Sequence, residues 1–340
     1  MLIKRKKIPI KEIILIGFLP SFLKKIIYRF KGYKIGENVS FGIGSVIIGE
    51  DVTIGDNSSF GLVSVVRANK IEIGRFVTIG ALSMLDTVKI IIGDDSRINE
   101  NVIVGGIKTP ESMLKIGKRV IIMEYSFINP TMPIIIGDDS GIGGHCLLFT
   151  HGSWLPQIDG FPVKFAPITL GKKVWLPWRV FIMPGVTIGD EVVIGANSLI
   201  SKDLPSNVLA AGSPAKIILE NYPKTLSCEE QSQIIDSIIN DFLEHLTFNG
   251  FDVSTEDVKD SKLININKKK VSQVFLDKGD ALKSFKSKNN LYINNFDENN
   301  RGEFAMVLNL SQRTRIGTSD VGEEFTKFIS RYGIRFDRLD

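Results

Sequence analysis

Cysteine and histidine, on which disulfide scaffolds and most transition-metal sites depend, are scarce in this chain. Its 340 residues include two cysteines, Cys146 and Cys228, and three histidines. The cysteines are far apart in sequence and lack the spacing of metal ligands, so no disulfide framework and no metal site is predicted. Such cysteine usage is typical of proteins from a reducing compartment.

Long apolar runs are also absent from the N-terminal region. Its longest uncharged stretch, residues 13–23, contains Pro20 and is too short to span a bilayer. Lys24 and Lys25 follow this stretch, where a secretory signal would carry small residues at a cleavage site. The sequence therefore favours a cytoplasmic location.

Positive charge is concentrated at the start of the chain. The whole protein has a net charge of +4, but residues 1–34 hold ten cations and one anion, which amounts to +9. Apolar residues recur among these cations at helical spacing from Ile10 to Phe30. Such a basic amphipathic helical segment suits an anionic surface, and no nucleic-acid partner is expected. It fits equally a cap on the end of a solenoid and a peripheral contact with the inner face of a membrane.

The middle of the chain repeats a six-residue unit. The unit is an aliphatic residue, usually glycine, two polar turn residues, a small or β-branched residue and one variable residue, as in residues 54–59 and 188–193. The small residue lies two positions before the next aliphatic residue, so both point to the same face of a strand. Three hexads make one turn of a triangular prism, and the first aliphatic residues of the turns are at positions 35, 54, 73, 92, 116, 136, 170 and 188. Residues 35–218 are therefore predicted to form a parallel β-helix of about eight turns, in a mainly β protein.

Extra residues are inserted along one edge of this prism, and His151 directly precedes the longest insertion. Successive turns begin 19, 19, 19, 24, 20, 34 and 18 residues apart, and the surplus falls after the third hexad of the turn. Histidine suits proton transfer at neutral pH, and loops on rigid scaffolds commonly carry function, so His151 is predicted to be a general base. His145 falls on a different corner, Cys146 is expected to be buried, and His245 is expected on the surface of a later helix.

The stretch APITLGKKVWLPWRVFIMPGVTIGDEVVIGANSLISKDLPSNVLAAGSPAKII, residues 166–218, resembles the hexapeptide-repeat acyltransferases, including the maltose, galactoside and polysaccharide O-acetyltransferases. The resemblance implies a left-handed β-helix, although parallel crossovers are normally right-handed. It also implies a homotrimer that binds acetyl-CoA in a cleft shared with a neighbouring subunit. The catalytic histidine of such enzymes stands at the place of His151.

The resemblance also implies ligand-binding residues. The residues expected to bind the coenzyme A donor are Trp178, Ala196, Ser201, Lys202, Ser213 and Lys216. The family usually has a small residue at Trp178 and glycine at Pro177, so the size of the acyl group is left open. For the lysines, ordinary solvated charge is the alternative interpretation.

On the acceptor side, Asn129 corresponds to an asparagine that positions the acceptor, or it simply tolerates a corner conformation. Trp154, with Phe161 and Phe165 in the insertion, could form an aromatic wall for a sugar ring or a lid, and Asp86 and Asp159 are weaker candidates for contacts to a sugar. Trp154 could equally anchor the loop.

Residues 219–340 are predicted to form a small α/β domain. Ser227 and Glu230 have the spacing of a capping box and open a helix that ends near Gly250. Strand-like runs follow, and a final helix is expected near residues 323–332. No motif in this region indicates a function.

Together these features predict a CoA-dependent O-acetyltransferase acting on a sugar hydroxyl in surface polysaccharide biosynthesis. N-acetylation of an amino sugar or its nucleotide derivative is an alternative, as is a non-catalytic scaffold that kept the solenoid. A zinc carbonic anhydrase on the same fold needs three histidines around one metal, which this chain does not place together.

Overall fold

The computed structural model describes residues 2–3, 10–153, 155–258, 261–267, 271–277, 290–294, 306–310 and 313–339. The chain divides into two compact units, Met1–Lys224 and Thr225–Asp340. The first unit extends past residue 218, where the hexads end.

The first unit is a triangular prism whose three faces are parallel sheets. Face 1 contains the strands Lys34–Ile35, Asp51–Ile54, Lys70–Ile73, Lys89–Ile92, Met113–Ile116, Ile134–Ile136, Ile168–Leu170 and Thr187–Ile188. Face 2 contains Ser40–Phe41, Ser59–Phe60, Thr78–Ile79, Arg97–Ile98, Ile121–Ile122, Gly141–Ile142, Trp175–Leu176, Val193–Ile194, Val208–Gly212 and Ala215–Glu220. Face 3 contains Val46–Ile48, Val65–Arg67, Met84–Asp86, Ile103–Val104, Phe127–Asn129, Leu147–Phe149, Phe181–Ile182 and Leu199–Ile200.

The stacking register confirms the eight-turn parallel β-helix. On face 1, Ile35 pairs with Ile54 and Ile54 pairs with Ile73, so the first aliphatic residue of each turn lies above that of the turn before. The same correspondence continues through Leu170 and Ile188. On face 2 the strand Val208–Gly212 still pairs in parallel with Val193–Ile194, and it then forms an antiparallel hairpin with Ala215–Glu220 at the end of the prism.

The interior alternates wide aliphatic residues with narrow serines or valines, as the hexads predict. Buried serines at the narrow positions also join the turns. The Ser140 hydroxyl donates to the Gly171 carbonyl at 3.0 Å and accepts the Val174 backbone N–H at 3.0 Å. Ser58, Ser83, Ser96 and Ser126 make the same two bonds, so each satisfies one donor and one acceptor of the next turn.

The N-terminal segment contains a short α-helix Ile10–Glu12, a π-helix Ile13–Gly17 and an α-helix Ser21–Phe30. Tyr28 is fully buried, stacks on Tyr33 and contacts the edge of Phe41, and thereby closes the first turn of the core. Among the described residues, no helix has the length and apolarity needed to cross a membrane.

In the described residues of the second unit, two helices pack with a seven-stranded mixed sheet. The helices are Cys228–Phe248, which begins with the predicted capping box, and Asp320–Ile329, followed by a 3₁₀ turn Ser330–Tyr332. The strands, in sheet order, are Asp252–Val258, Ser261–Asn267, Val271–Asp277, Asn290–Asn294, Met306–Asn309, Thr314–Gly317 and Asp337–Arg338. Its core includes Phe242, Phe325 and Phe328.

Candidate active site

Two corners of the prism carry histidines. The His151 corner is the row of connections that lead from face 3 to face 1, and it holds the longest insertion. The His145 corner is the row that leads from face 2 to face 3. The two histidines therefore stand at opposite edges of face 3, as the hexad arithmetic predicts.

His151 opens the insertion in an extended conformation. The strand His151–Gly152 pairs antiparallel with Lys164–Phe165, so the loop leaves and returns at the same place. The Phe165 ring stacks on the imidazole, with 5.5 Å between ring centroids and 19° between planes. The half-buried ring is thus held between the prism and its own loop.

A chain of hydrogen bonds orients the imidazole. The Nδ1 atom of His151 lies 3.2 Å from the Thr131 hydroxyl, which itself donates to Oδ1 of Asn129 at 2.8 Å. Since that hydroxyl has one proton, it must accept from Nδ1–H of His151. The neutral imidazole then has its lone pair on Nε2, which has no hydrogen-bond partner among the described residues. This is the tautomer that a general base requires.

Burial also lowers the pKa of His151 below its ordinary value of 6.5. Desolvation disfavours the charged imidazolium, so the ring is neutral at pH 7. Both the hydrogen bonds and the electrostatics therefore favour an imidazole that takes up a proton.

A cavity of about 510 Å³ begins at Gly152, the residue after His151. The insertion contributes Leu155, Phe161 and Lys164 to its lining, and the next two turns contribute Met183 and Ser201. Its walls are mainly apolar, and it runs along the His151 corner toward the late turns. Such a slot is suited to an extended chain rather than to a compact ion.

The predicted donor-binding residues divide between the two corners. Ser201 and Lys202 are exposed on the His151 corner, and Ser201 lines the cavity. Trp178 and Ala196 are exposed on the His145 corner, where Trp178 lies 5.6 Å from the His145 ring. The hairpin that carries Ser213 and Lys216 adjoins this second corner, since the backbone N–H of Gly212 donates to Ser198. Within one chain, the structure does not bring these two sets together.

The predicted acceptor residues are placed less favourably for direct contact. Asn129 is almost completely buried, and its Oδ1 accepts the hydrogen bond of the Thr131 hydroxyl. Asp159 is exposed in the 3₁₀ turn Gln157–Asp159 and does not line the cavity. Trp154 lies outside the described residues.

Asp86 is not free for a sugar contact, which corrects the weaker sequence expectation. It is buried on the early part of the His151 corner, accepts from Nε of Arg67 at 2.8 Å and is also paired with Lys108. Burial alone would raise the pKa of Asp86, but the hydrogen bonds from Arg67 and Lys108 outweigh it and hold the pKa below 3.8. This carboxylate is part of the framework.

Comparison with known proteins agrees with the repeat. The family model described as "Hexapeptide repeat of succinyl-transferase" matches residues 167–202. WcaF of Escherichia coli (strain K12), whose name describes an acetyltransferase of colanic acid biosynthesis, is 36% identical to this chain over 125 residues. The match covers 31% of this chain and 69% of WcaF. The chain belongs to the hexapeptide-repeat acetyltransferases.

Two further proteins are similar to this chain. The galactoside O-acetyltransferase of Escherichia coli (strain K12) is 57% identical over 54 residues, which are 16% of this chain and 27% of that enzyme. Among solved structures, the polysialic-acid-specific acetyltransferase NeuO has 23% sequence identity and a TM-score of 0.37, covering 63% of this chain and 98% of its own.

In this acetyltransferase, the surroundings of Cys146 and His245 indicate structural roles for both residues. Cys146 is fully buried, its thiol donates to the Pro177 carbonyl at 3.1 Å, and burial raises its pKa to about 11. A thiol with that pKa is protonated at neutral pH and is a poor nucleophile. His245 is half-buried rather than fully at the surface, and its Nε2 lies 3.1 Å from Glu324. Within the described part of the chain, no three His, Cys, Asp or Glu residues are grouped to hold a metal ion.

Thr131 and Lys164 belong to the site but are not among the residues predicted from the sequence. Thr131 is 20 residues from His151 in sequence, close to one turn of the prism, so the spacing of the hexads contained a signal for their contact. Lys164 lines the cavity only because the insertion folds back on itself. Nothing in the hexads predicts that return.

Proposed function

We propose that this acetyltransferase transfers an acetyl group from acetyl-CoA to a sugar hydroxyl, in the assembly of a surface polysaccharide. The observation that carries the proposal is the orientation of His151, whose Nδ1 is occupied by Thr131 while Nε2 is unpartnered among the described residues. Nε2 takes the proton of the acceptor hydroxyl, and that oxygen attacks the thioester carbonyl.

The remaining steps follow from the balance of protons and electrons. The carbonyl oxygen becomes an oxyanion, which backbone N–H groups of the late turns stabilise. The tetrahedral intermediate collapses, the carbon–sulfur bond breaks, and the thiolate of coenzyme A receives the proton from His151. The products are an acetyl ester and free coenzyme A.

Thr131 and Asn129 have a positioning role in this scheme. They hold the imidazole in one tautomer and one orientation, so Nε2 faces the acceptor side throughout the cycle. Because Asn129 is buried, we assign it to the orientation of His151 and not to a direct contact with the acceptor.

The donor is proposed to lie in the cavity beside His151. Its extent along the corner and its apolar walls suit the pantetheine arm. Lys164, which lines the cavity, and exposed Lys202, next to the lining residue Ser201, offer positive charge for the phosphates. The thioester end would then lie near Gly152, next to the base.

The division of the donor-binding residues between two corners supports a homotrimer. Trp178, Ala196, Ser213 and Lys216 would face the His151 corner of a neighbouring subunit. The outer surface of face 3 also carries Phe127, Phe149 and Phe181, whose rings contact one another at centroid distances of 5.3 and 5.6 Å. An outward ladder of three half-buried aromatic rings fits a subunit interface.

The central test is thioester turnover with a panel of sugars and amino sugars. Wild-type protein is expected to release coenzyme A with a hydroxyl acceptor, and His151→Ala to lower kcat/KM by about 10²–10⁴. His245→Gln, in the second unit, is the matched control and should keep wild-type activity. Full activity of His151→Ala would refute the assignment of the base. If only amino sugars were acetylated, the product would be an amide and N-acetylation would be favoured. If no thioester were consumed, a non-catalytic scaffold would be favoured.

The shared cleft is tested by mixing two inactive variants. His151→Ala removes the base, and Trp178→Asp is expected to disrupt the donor site at the other corner. Mixed oligomers pair the intact His151 corner of one subunit with the intact His145 corner of the other, so activity should return. A monomeric mass in analytical ultracentrifugation, or no recovery in the mixture, would contradict the shared cleft.

A further inference from the structure

The N-terminal helices expose a continuous stripe of large apolar side chains. Phe22, Ile26 and Phe30 are spaced four residues apart in the helix Ser21–Phe30, so they share one face. Their exposed fractions run from 47% for Ile26 to 88% for Phe30. Phe18 and Leu15, which precede this helix in the chain, are exposed as well. Isolated apolar residues on a surface are ordinary, but a contiguous row of this size indicates a binding surface.

The opposite face of the same helix is fixed to the prism. Lys24 is fully buried, and its Nζ donates to the carbonyl oxygens of Gly42 at 2.6 Å and Ser45 at 3.0 Å. The hydroxyl of Tyr28, also buried, accepts the Ile47 backbone N–H at 2.9 Å. These bonds prevent the helix from rotating its apolar stripe inward. The segment therefore caps the solenoid with one face and presents the other.

Cations flank the stripe. Lys11, Arg29 and Lys31 are exposed and Lys25 is half-exposed, whereas Glu12 is the single anion of residues 10–34. The sequence immediately before this segment adds Lys4, Arg5, Lys6 and Lys7. Apolar rings beside several lysines and arginines are complementary to an acyl-chain boundary beside phosphate groups. A second copy of the same surface would instead bring cations against cations.

We propose that this surface, Leu15, Phe18, Phe22, Ile26 and Phe30 with the flanking cations, binds an anionic phospholipid bilayer. The helix lies in the plane of the interface, with its rings at the level of the upper acyl chains and its cations among the headgroup phosphates. Lys24 and Tyr28 keep the prism attached on the aqueous side. This binding is independent of acetyl transfer, since none of these side chains belongs to the proposed site.

The test is co-sedimentation of the full-length protein with lipid vesicles. Wild type should bind vesicles of phosphatidylcholine with phosphatidylglycerol, should bind phosphatidylcholine alone much more weakly, and should be released by salt. Phe22→Ser combined with Phe30→Ser should lower the partition coefficient by about tenfold or more. The matched control is Phe248→Ser, which makes the same change at a phenylalanine 91% exposed in the second unit.

A separate charge variant distinguishes the two parts of the surface. Lys25→Glu with Arg29→Glu should abolish the preference for anionic vesicles, and far-ultraviolet circular dichroism should show that each variant is folded. The proposal is overturned if wild type binds neither kind of vesicle, or if the double Phe→Ser variant binds as tightly as wild type. It is also overturned if the double Phe→Ser variant changes only the oligomeric mass, because the stripe would then bind another copy of the chain.

Discussion

The two histidine-bearing corners are built from the same hexads, yet they offer different chemistry. His145 has a positive φ of 57° and lies in an aromatic stack, with its ring centroid 5.1 Å from Tyr125 and 5.6 Å from Trp178. His151 is extended, hydrogen-bonded at Nδ1 and covered by a returning loop beside a cavity. The difference shows that an insertion, rather than the hexad itself, converts a corner histidine into a candidate base.

A second contrast runs along the His151 corner. In the early turns, Arg67, Asp86 and Lys108 satisfy one another in a buried ion cluster. The early part of the corner has a cavity of about 90 Å³, whereas the late part has one of about 510 Å³ and an imidazole whose Nε2 has no hydrogen-bond partner among the described residues. Polar groups that are mutually satisfied are expected to stabilise the fold, whereas those left open are expected to serve function.

The largest effect on stability is expected at the buried ion cluster of the early turns. Asp86→Ala leaves Arg67 and Lys108 as buried cations without their carboxylate, so the free energy of unfolding should fall by about 3–5 kcal/mol. Urea unfolding monitored by circular dichroism measures the change. Asp51→Ala, at an exposed carboxylate 3.9 Å from Lys70, is the control and should change stability by less than about 0.5 kcal/mol. Equal effects of the two variants would remove the contrast.

Thr131→Val tests whether the Thr131 hydroxyl positions the imidazole of His151 in the late turns. The valine keeps the shape but cannot accept from Nδ1, so the imidazole loses its fixed tautomer and kcat/KM should fall by about tenfold. Thr131→Ser should restore most of the activity, because it retains the hydroxyl. If Thr131→Val and Thr131→Ser behave alike, the hydroxyl has no role in orientation.

The pH profile of acetyl transfer should reflect the burial of His151. Activity requires the neutral imidazole, so it should be lost as pH falls through a pKa below 6.5. Phe165→Ala exposes the ring to water, which should move the pKa, and with it the acid limb of kcat/KM, toward 6.5. An acid limb that stays in place would show that the stacked ring does not contribute to desolvation.

The smallest effect is expected at the other corner. His145→Asn removes two ring contacts but places asparagine, which tolerates a positive φ, at a left-handed position. The two changes should nearly cancel, so the melting temperature should shift by no more than about 2 °C. A large loss of stability would mean that the aromatic stack, and not the corner conformation, determines what this position requires.

The hexads by themselves determined the prism, the number of its turns and the edge on which insertions collect. They could do so because each aliphatic residue of a solenoid has the same neighbour one turn away, and a fixed period therefore specifies both burial and register. The identity of the corner occupied by His151 follows from that counting, as does the burial of Cys146.

The hexad spacing places Thr131 about one turn from His151, but only the tertiary structure decided that their side chains bond to each other. Thr131 reaches His151, and Asp86 reaches Lys108, across stacked turns whose exact lengths differ, so the pairing depends on how each insertion folds. The fold also decided that the N-terminal helix caps the prism and still exposes an apolar stripe. The helical periodicity of the sequence predicts an apolar face but not its direction. In the structure, Lys24 and Tyr28 are buried against the prism, and the apolar face is therefore exposed.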